Sequence, residues 1–457
     1  MYIWKKLKKL IELNMKKFTL LLLAMPFFAQ SQTYLRCGSE LVNRHYQNTD
    51  NSFLEKQQQI FERAKQWADA NQRSISQSEE VLQIPVVVHV IYENYEENLS
   101  DVVIKSQIDV LNEDYGRTNS DTTETRAVFD TIAGKAKFQF YLATVDPDGN
   151  PSSGITRTST DKTTFMSQSE LDNGELLESM KKPSSGGVSA WPTDEYMNIW
   201  VCDISFDGQL ALLGYATPPN NLPNWNGGIT TDSQYDGVVV HYSVFGRDAA
   251  PDVGGGQIVN FLGRVATHET GHYFGLRHVW GDGPCGHEDG IDDTPDAINS
   301  GMNQCNHNAN TCADSPYDFP DMVENFMDYS APSCQNMFTK GQVDFMYSVI
   351  VNNRTDLPDT TGGSNPNSIA NNQYNMAGLS LYPNPAKDRL TIDVSNLQEI
   401  TDLQIMDVTG KVVWKQTYLL SNNNDYIGVS TKEFSRGIYF LNVASKNLTI
   451  SRKIILN

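Results

Sequence analysis

Hydrophobic positions change their spacing several times along the chain, and each change marks a boundary. Lys16 and Lys17 precede an unbroken, mostly apolar stretch from Phe18 to Phe28, and Ala29-Gln30-Ser31 follows with small residues at its ends. This pattern predicts a secretory signal peptide over 1–31, cut after Ser31, with Met15 as the true start and 1–14 as an extension. The run is too short to span a membrane comfortably. Residues 32–73 are polar, with Phe53, Ile60, Ala64 and Trp67 near helical spacing. A helix is expected over Phe53–Ala70, then a polar, structureless stretch around Asn71–Glu80.

From Ile84 to Tyr92 the chain is almost continuously apolar, as in a strand buried on both faces. Asp101 is placed to cap a helix whose apolar face is Ile104, Ile108, Leu111 and Tyr115. Phe138, Phe140 and Leu142 alternate as in a strand. Further strands are expected at Met197–Ile204 and Gly237–Val244, and helices at about Ile258–Phe274 and Thr339–Val351. Mixed strands and helices over about 84–355 predict one α/β or α+β domain. Residues 356–378 are rich in Asn, Ser, Gly, Thr and Pro and read as a linker. Six short apolar runs then follow, at Leu379–Tyr382, Leu390–Val394, Leu403–Val408, Val412–Tyr418, Gly437–Val443 and Leu448–Leu456. Turn residues separate them, which predicts a small β-sandwich over 379–457.

Composition narrows this picture. The chain has 457 residues, 39% hydrophobic and 20% charged, so it is a globular protein of several units. A net charge of −20 disfavours nucleic acid as a partner and suits an exported, calcium-binding surface. Four of the six cysteines, Cys285, Cys305, Cys312 and Cys334, share one short window. In an exported chain that suggests disulfides, and four cysteines allow three pairings.

The chemistry concentrates in His268-Glu269-Thr270-Gly271-His272, followed by Gly275 and His278. On a helix, His268 and His272 stand one turn apart on one face. Gly275 accepts a positive φ and ends the helix, and the returning chain presents His278 as a third nitrogen ligand. Three neutral imidazoles leave one tetrahedral position open, the pattern of a catalytic zinc. Glu269 is placed to act as base and then acid on the attacking water. His89 and His241, within strands, read as core or rim residues, and His287 and His307 as surface residues.

The extended pattern resembles the metzincin metallopeptidases, with Met327 in Glu324-Asn325-Phe326-Met327-Asp328-Tyr329-Ser330 at the place of their methionine turn. The flanking text, Gly263 to Thr267, Asp289 to Pro295 and Cys334 to Gln342, is similar to the pappalysin family in its bacterial, cytophagalysin-like branch. The likeness covers about 84–355. It implies an α+β metzincin catalytic domain at 74–355, with a mixed twisted sheet, an active-site helix and a Met-turn subdomain. It further implies zinc on His268, His272 and His278, Glu269 as the acid–base, Met327 as the floor, and Tyr329 as a second catalytic residue, a candidate to steady the tetrahedral intermediate or the resting zinc. Arg36-Cys37-Gly38 resembles the cysteine switch of such zymogens, so 32–73 is expected to be a pro-segment whose Cys37 fills the fourth zinc position. The other reading of Cys37 is a disulfide with Cys202, or an idle thiol. Arg73-Ser74 is the candidate activation site. Resemblance also implies the pairs Cys285–Cys312 and Cys305–Cys334, and a structural calcium site with Asp289 and Thr294.

The resemblance implies that Ser330-Ala331-Pro332-Ser333 shapes the pocket for the residue after the cut. It lacks the acid near Pro332 of basic-specific relatives, so a neutral pocket for apolar or small side chains is expected. Val238–Tyr242 is the candidate edge for pairing with an extended substrate. Leu381-Tyr382-Pro383-Asn384-Pro385, Gly437 to Val443 and Arg452 to Asn457 resemble the type A sorting domain of type IX secretion. That implies a secreted or cell-surface protein whose partners are protein or peptide substrates and the secretion machinery. The other functional class is a secreted binding or adhesion protein on an inactive metzincin scaffold. The intact Glu269 argues against it, because a binding module has no need of a base there.

Overall fold

The computed structural model describes residues 34–49, 52–77, 81–167, 178–219, 233–253, 256–299, 303–314 and 317–358. In the C-terminal part it describes 380–382, 385–393, 400–407, 411–417, 426–445 and 449–456. The signal segment 1–31 and nearly all of the linker lie outside the described residues. No helix among those described is long and apolar enough to cross a membrane.

Two helices open the described chain, α1 (Ser39–Thr49) and α2 (Phe53–Gln77). The second runs past the expected end at Ala70. Residues 71–77 contain neither Gly nor Pro and include good helix formers, so nothing there stops the helix. Phe61 and Ala64 of α2 join the main core. The Phe61 ring lies 4.6 Å from that of Phe345 and sits where a Cβ on Gly290 would be. Lys65 Nζ meets Asp292 at 2.5 Å. Helix α2 therefore rests on the Asp289–Thr294 loop. The Arg73–Ser74 bond lies inside this helix rather than in an open stretch, so it is a poor nick site as it stands.

The larger unit is built on a six-stranded sheet. β1 (Leu82–Tyr92) is buried along almost its whole length, as its apolar run requires. A helix α3 (Asp101–Tyr115) follows. Its N-cap is Ser100, whose hydroxyl accepts from Val103 N, and not Asp101, which is the first helical residue. Ile104, Ile108, Leu111 and Tyr115 are buried as expected. β2 (Phe138–Leu142) and β3 (Ile155–Ser159) pair in parallel with successive halves of β1. β4 (Met197–Cys202) pairs with β1 in parallel on its other side.

β5 (Gly214–Ala216) and β6 (Val238–His241) complete the order β2-β1-β4-β6-β5. β6 is parallel to β4 and antiparallel to β5. Val238–His241 is thus flanked on both sides and is not the free edge; β5 is. Three residues are too few to show a strand pattern, which is why the edge was assigned to its longer neighbour.

α4 (Arg264–Tyr273) packs against β5 and β6, and α5 (Lys340–Asn353) packs against α2. α4 starts six residues later than expected, because Leu262 and Gly263 have φ of 55° and 73°, incompatible with a continuing helix. α5 opens on a capping box of Thr339 and Gln342. His89 is satisfied by Thr156 and Asn198, and His241 by Ser205 and Ser243, so both are core residues. His287 and His307 are exposed.

The C-terminal unit is all β. β7 (Ser380–Tyr382), β8 (Arg389–Asp393), β9 (Ile400–Asp407), β10 (Val412–Thr417), β11 (Tyr426–Ser430), β12 (Gly437–Ser445) and β13 (Thr449–Leu456) form two antiparallel sheets. Their orders are β10-β9-β12-β13 and β11-β8-β7. Leu390, Ile392, Leu403, Ile405, Leu441 and Ile454 form the core of this sandwich. β11 is the strand the apolar pattern missed, since Gly428 interrupts its run.

Candidate active site

α4 carries His268 and His272 on one face, and the chain turns at Gly275, φ 90°, to bring back His278. The three Nε2 atoms converge: His268 to His278 at 3.3 Å and His272 to His278 at 3.1 Å. Each Nδ1 already has an acceptor. His268 donates to Phe326 O at 2.7 Å, His272 to Leu276 O at 2.8 Å and His278 to Asp282 Oδ1 at 2.5 Å. With the ring proton on Nδ1, each Nε2 presents a lone pair. Three lone pairs facing one another at these distances repel unless a cation stands between them. An ion with metal–nitrogen bonds of about 2.0–2.1 Å in a tetrahedral field would separate its nitrogens by about 3.4 Å, close to the spacing seen. Burial and the neighbouring His278 push His272 down to about 3, and burial likewise holds His268 well below the usual range, so both are neutral ligands.

Cys37 completes the cluster. Its Sγ and one nitrogen of each of the three histidines all lie within 4.8 Å of one another. It forms no disulfide; Cys202 is also free and fully buried in β4. Cys37 Sγ donates to Glu269 Oε2 at 3.4 Å, while Glu269 Oε1 is buried without a partner. Burial raises the Glu269 carboxyl well above its ordinary value, as it does the Cys37 thiol.

The floor is the turn at Met327, fully buried, whose sulfur lies 2.4 Å from where a Cβ on Gly271 would be. Gly271, between the two helical histidines, is therefore needed for the turn to approach α4. Sequence reading passed over it, although its place inside the histidine pattern was a signal. Asn325 Oδ1 accepts from Met327 N, and Asn325 is held in turn by Gln342 of the α5 capping box. Tyr329 packs edge-on against His278 and Trp280, at ring separations of 4.9 and 4.7 Å.

Residues 35–38 fill the cleft. Leu35 pairs with the chain just before β5 and Gly38 with β5 itself: Leu35 N donates to Ala211 O, Leu213 N to Leu35 O, and Gly38 N to Gly214 O. Arg36 is 3% exposed and reaches the wall after the methionine turn. Its Nη1 donates to Tyr329 O and Ser330 O, and its Nη2 to Gln335 Oε1 at 2.7 Å. Asp328, buried nearby, interacts electrostatically with the guanidinium. The Ser330–Ser333 wall, expected to be neutral, thus faces the Arg36 guanidinium, and the carbonyl of Pro332 is occupied by Arg264.

The loops around the cleft are stapled by Cys285–Cys312 and Cys305–Cys334. Among their residues Asp289 is 2% exposed. Its Oδ1 accepts from Ile291 N and Thr294 Oγ1, and its Oδ2 has no partner. Asp293 Oδ1 in the same loop is also buried and unpaired. Burial pushes Asp289 up to about 7.

Residues 255–351 match the family described as pregnancy-associated plasma protein-A, and 380–457 match the secretion system C-terminal sorting domain. An extracellular metalloprotease of Verticillium alfalfae is 41% identical over 145 residues, 31% of this chain and 47% of that protein. One of Neurospora crassa is 33% identical over 180 residues, 39% of this chain and 54% of the other. The matching stretch thus spans about half the length of each. Mature mirolysin of Tannerella forsythia, solved with a cleaved peptide, is 40% identical with a TM-score of 0.52, covering 62% of this chain and 97% of that one. A promirolysin variant from the same organism is 37% identical with a TM-score of 0.56, covering 70% and 96%.

Proposed function

Because this chain belongs to the pregnancy-associated plasma protein-A family of metallopeptidases, we propose that it is a secreted zinc endopeptidase made as a latent precursor. The observation that carries this reading is the convergence of three Nε2 lone pairs beside the unpartnered, buried Glu269 Oε1. Zinc held by His268, His272 and His278 would acidify a water to a pKa of about 7 and polarise the scissile carbonyl. Glu269 takes the proton of the attacking water and returns it to the leaving amine. Its burial beside a cation supplies the strong electrostatic coupling such a relay needs. Tyr329 stands at the rim beside His278 and donates to the developing oxyanion. Met327 supports the histidine plane from below. The binding-protein alternative has no observation in its favour.

Latency follows from the occupied cleft. Cys37 would hold the fourth position of a zinc bound by the three histidines, and Leu35 and Gly38 use the edge hydrogen bonds an extended substrate would need. The pro-segment is placed at 32–77, extended to the end of α2, and the activating cut falls between Gln77 and Leu82. The signal peptide at 1–31 directs export, the chain from the activating cut to 355 holds the chemistry, 356–378 links, and 379–457 delivers the chain to type IX secretion. The mature protein acts on protein or peptide substrates outside the cell.

Zinc analysis tests the metal assignment directly. The purified chain is expected to hold one equivalent of zinc and His272→Ala almost none; equal metal content in both would contradict it. Arg36 further supports a pocket that accepts a basic residue after the cut. Peptides with Arg at that position are expected to show a kcat/KM at least about tenfold above those with Leu, because an isolated guanidinium binding several carbonyls leaves them unpaired when replaced. Equal rates would restore the neutral-pocket reading.

Asp289, Thr294 and Asp293 are proposed to hold calcium, supported by the two unpaired carboxylate oxygens. Asp289 binds its proton more tightly in the folded state, so without a cation stability is lost as pH rises through about 7. Calcium replaces that proton. The rise in melting temperature on adding calcium is therefore expected to be larger at pH 8 than at pH 6. No rise at either pH would remove calcium from the description.

A further inference from the structure

We propose that Asp282 is a positioning residue that aims His278 at the metal, an inference resting on the metallopeptidase reading of the site. The first two imidazoles ride on consecutive turns of α4, and their Nδ1 protons go to main-chain carbonyls. His278 lies beyond the Gly275 turn, where no helix orients it. Two side chains take over that task. The ring stacks on Trp280, with centroids 4.3 Å apart and planes 4° from parallel, which fixes its plane. Nδ1 donates to Asp282 Oδ1 at 2.5 Å, which fixes its rotation within that plane and keeps the proton away from Nε2.

The local backbone serves this contact. Gly281 and Asp282 both have φ of 57°, a left-handed turn that swings the carboxylate back over the ring four residues earlier. Asp tolerates that conformation better than most residues. The Asp282 side chain is 52% exposed, so its place is not explained by core packing. A carboxylate is also a stronger acceptor than a carbonyl and makes the opposite nitrogen more electron-rich, so His278 becomes the most strongly polarised of the three ligands.

The test uses the full chain as wild type, Asp282→Ala, Asp282→Asn and His272→Ala, stripped of metal and titrated with zinc against a chromophoric chelator. Loss of such an outer partner is expected to raise the zinc dissociation constant by about 10–100-fold in Asp282→Ala. The rise should be smaller in Asp282→Asn, which keeps the shape and tolerates the left-handed turn but carries no charge. The visible spectrum of the cobalt-substituted chain should shift in both, while melting of the metal-free Asp282→Asn chain, which tolerates the left-handed turn, stays unchanged. Zinc affinity within about twofold of wild type in both variants would overturn the proposal. So would a loss of affinity in Asp282→Asn matched by a fall in its metal-free melting, which marks a structural role. His272→Ala separates the two readings: if it binds zinc as wild type does, the metal assignment itself fails; if it alone loses zinc, only the role of Asp282 fails.

Discussion

Glu269→Ala is expected to leave zinc binding and folding intact and to lower kcat/KM by about 10²–10⁴-fold or more, the usual contribution of a positioned general acid–base. The side chain is fully buried beside the three imidazoles, and one of its oxygens has no protein partner. Such an oxygen has lost its hydration without a replacement, an arrangement that persists where a ligand or water supplies the missing contact. Removing the carboxylate removes the acceptor for the water's proton and the donor to the leaving amine together. It also removes a buried acid, so stability should not fall. Activity within tenfold of wild type in a chain shown to hold zinc would place the base elsewhere.

Cys37→Ala should convert the intact precursor from silent to active. A tethered thiolate at an effective millimolar concentration with micromolar affinity holds the site closed about 10³-fold over the open form. The full gain is not expected, because Arg36 still fills the pocket wall and Leu35 and Gly38 still pair with β5 and the chain just before it. An increase of at least about tenfold is expected, with a further increase in Cys37→Ala combined with Arg36→Ala. The measurement is peptide cleavage by uncut precursor, with cutting of the pro-segment monitored in parallel. A Cys37→Ala precursor that stays silent while Arg36→Ala is active would assign latency to the plugged pocket and the covered edge.

The site was legible where its geometry is local. His268, Glu269, His272, Gly275 and His278 lie within one helix and one turn, so helical periodicity alone brings three of them together. Met327 and the two disulfides became legible only through resemblance, because their contacts span long stretches of chain. The long buried strand β1 and the helix α3 showed clear periods. The edge strand β5 did not, since Gly214–Ala216 is shorter than any pattern. The start of α4 was misjudged because apolar residues continue through Leu262, while the backbone turns left-handed at that residue and Gly263. The affinity of the wall for Arg36 was not legible for another reason. The wall residues are neutral, and its polarity comes from main-chain carbonyls, Gln335 and the buried Asp328, none of which a wall composition reveals. Asp282 was one acid among many in a polar loop until its distance to His278 was known.

The central claim, that this chain is a zinc endopeptidase, is tested most directly by cleavage of a mixed peptide library with the full chain after its pro-segment is cut away. Cleavage is measured before and after stripping with 1,10-phenanthroline, and again after zinc is returned. The expected result is internal cuts that vanish on chelation and return with zinc, and that cluster ahead of basic residues. Cleavage indifferent to chelation, or none from a folded chain with zinc bound, would contradict it.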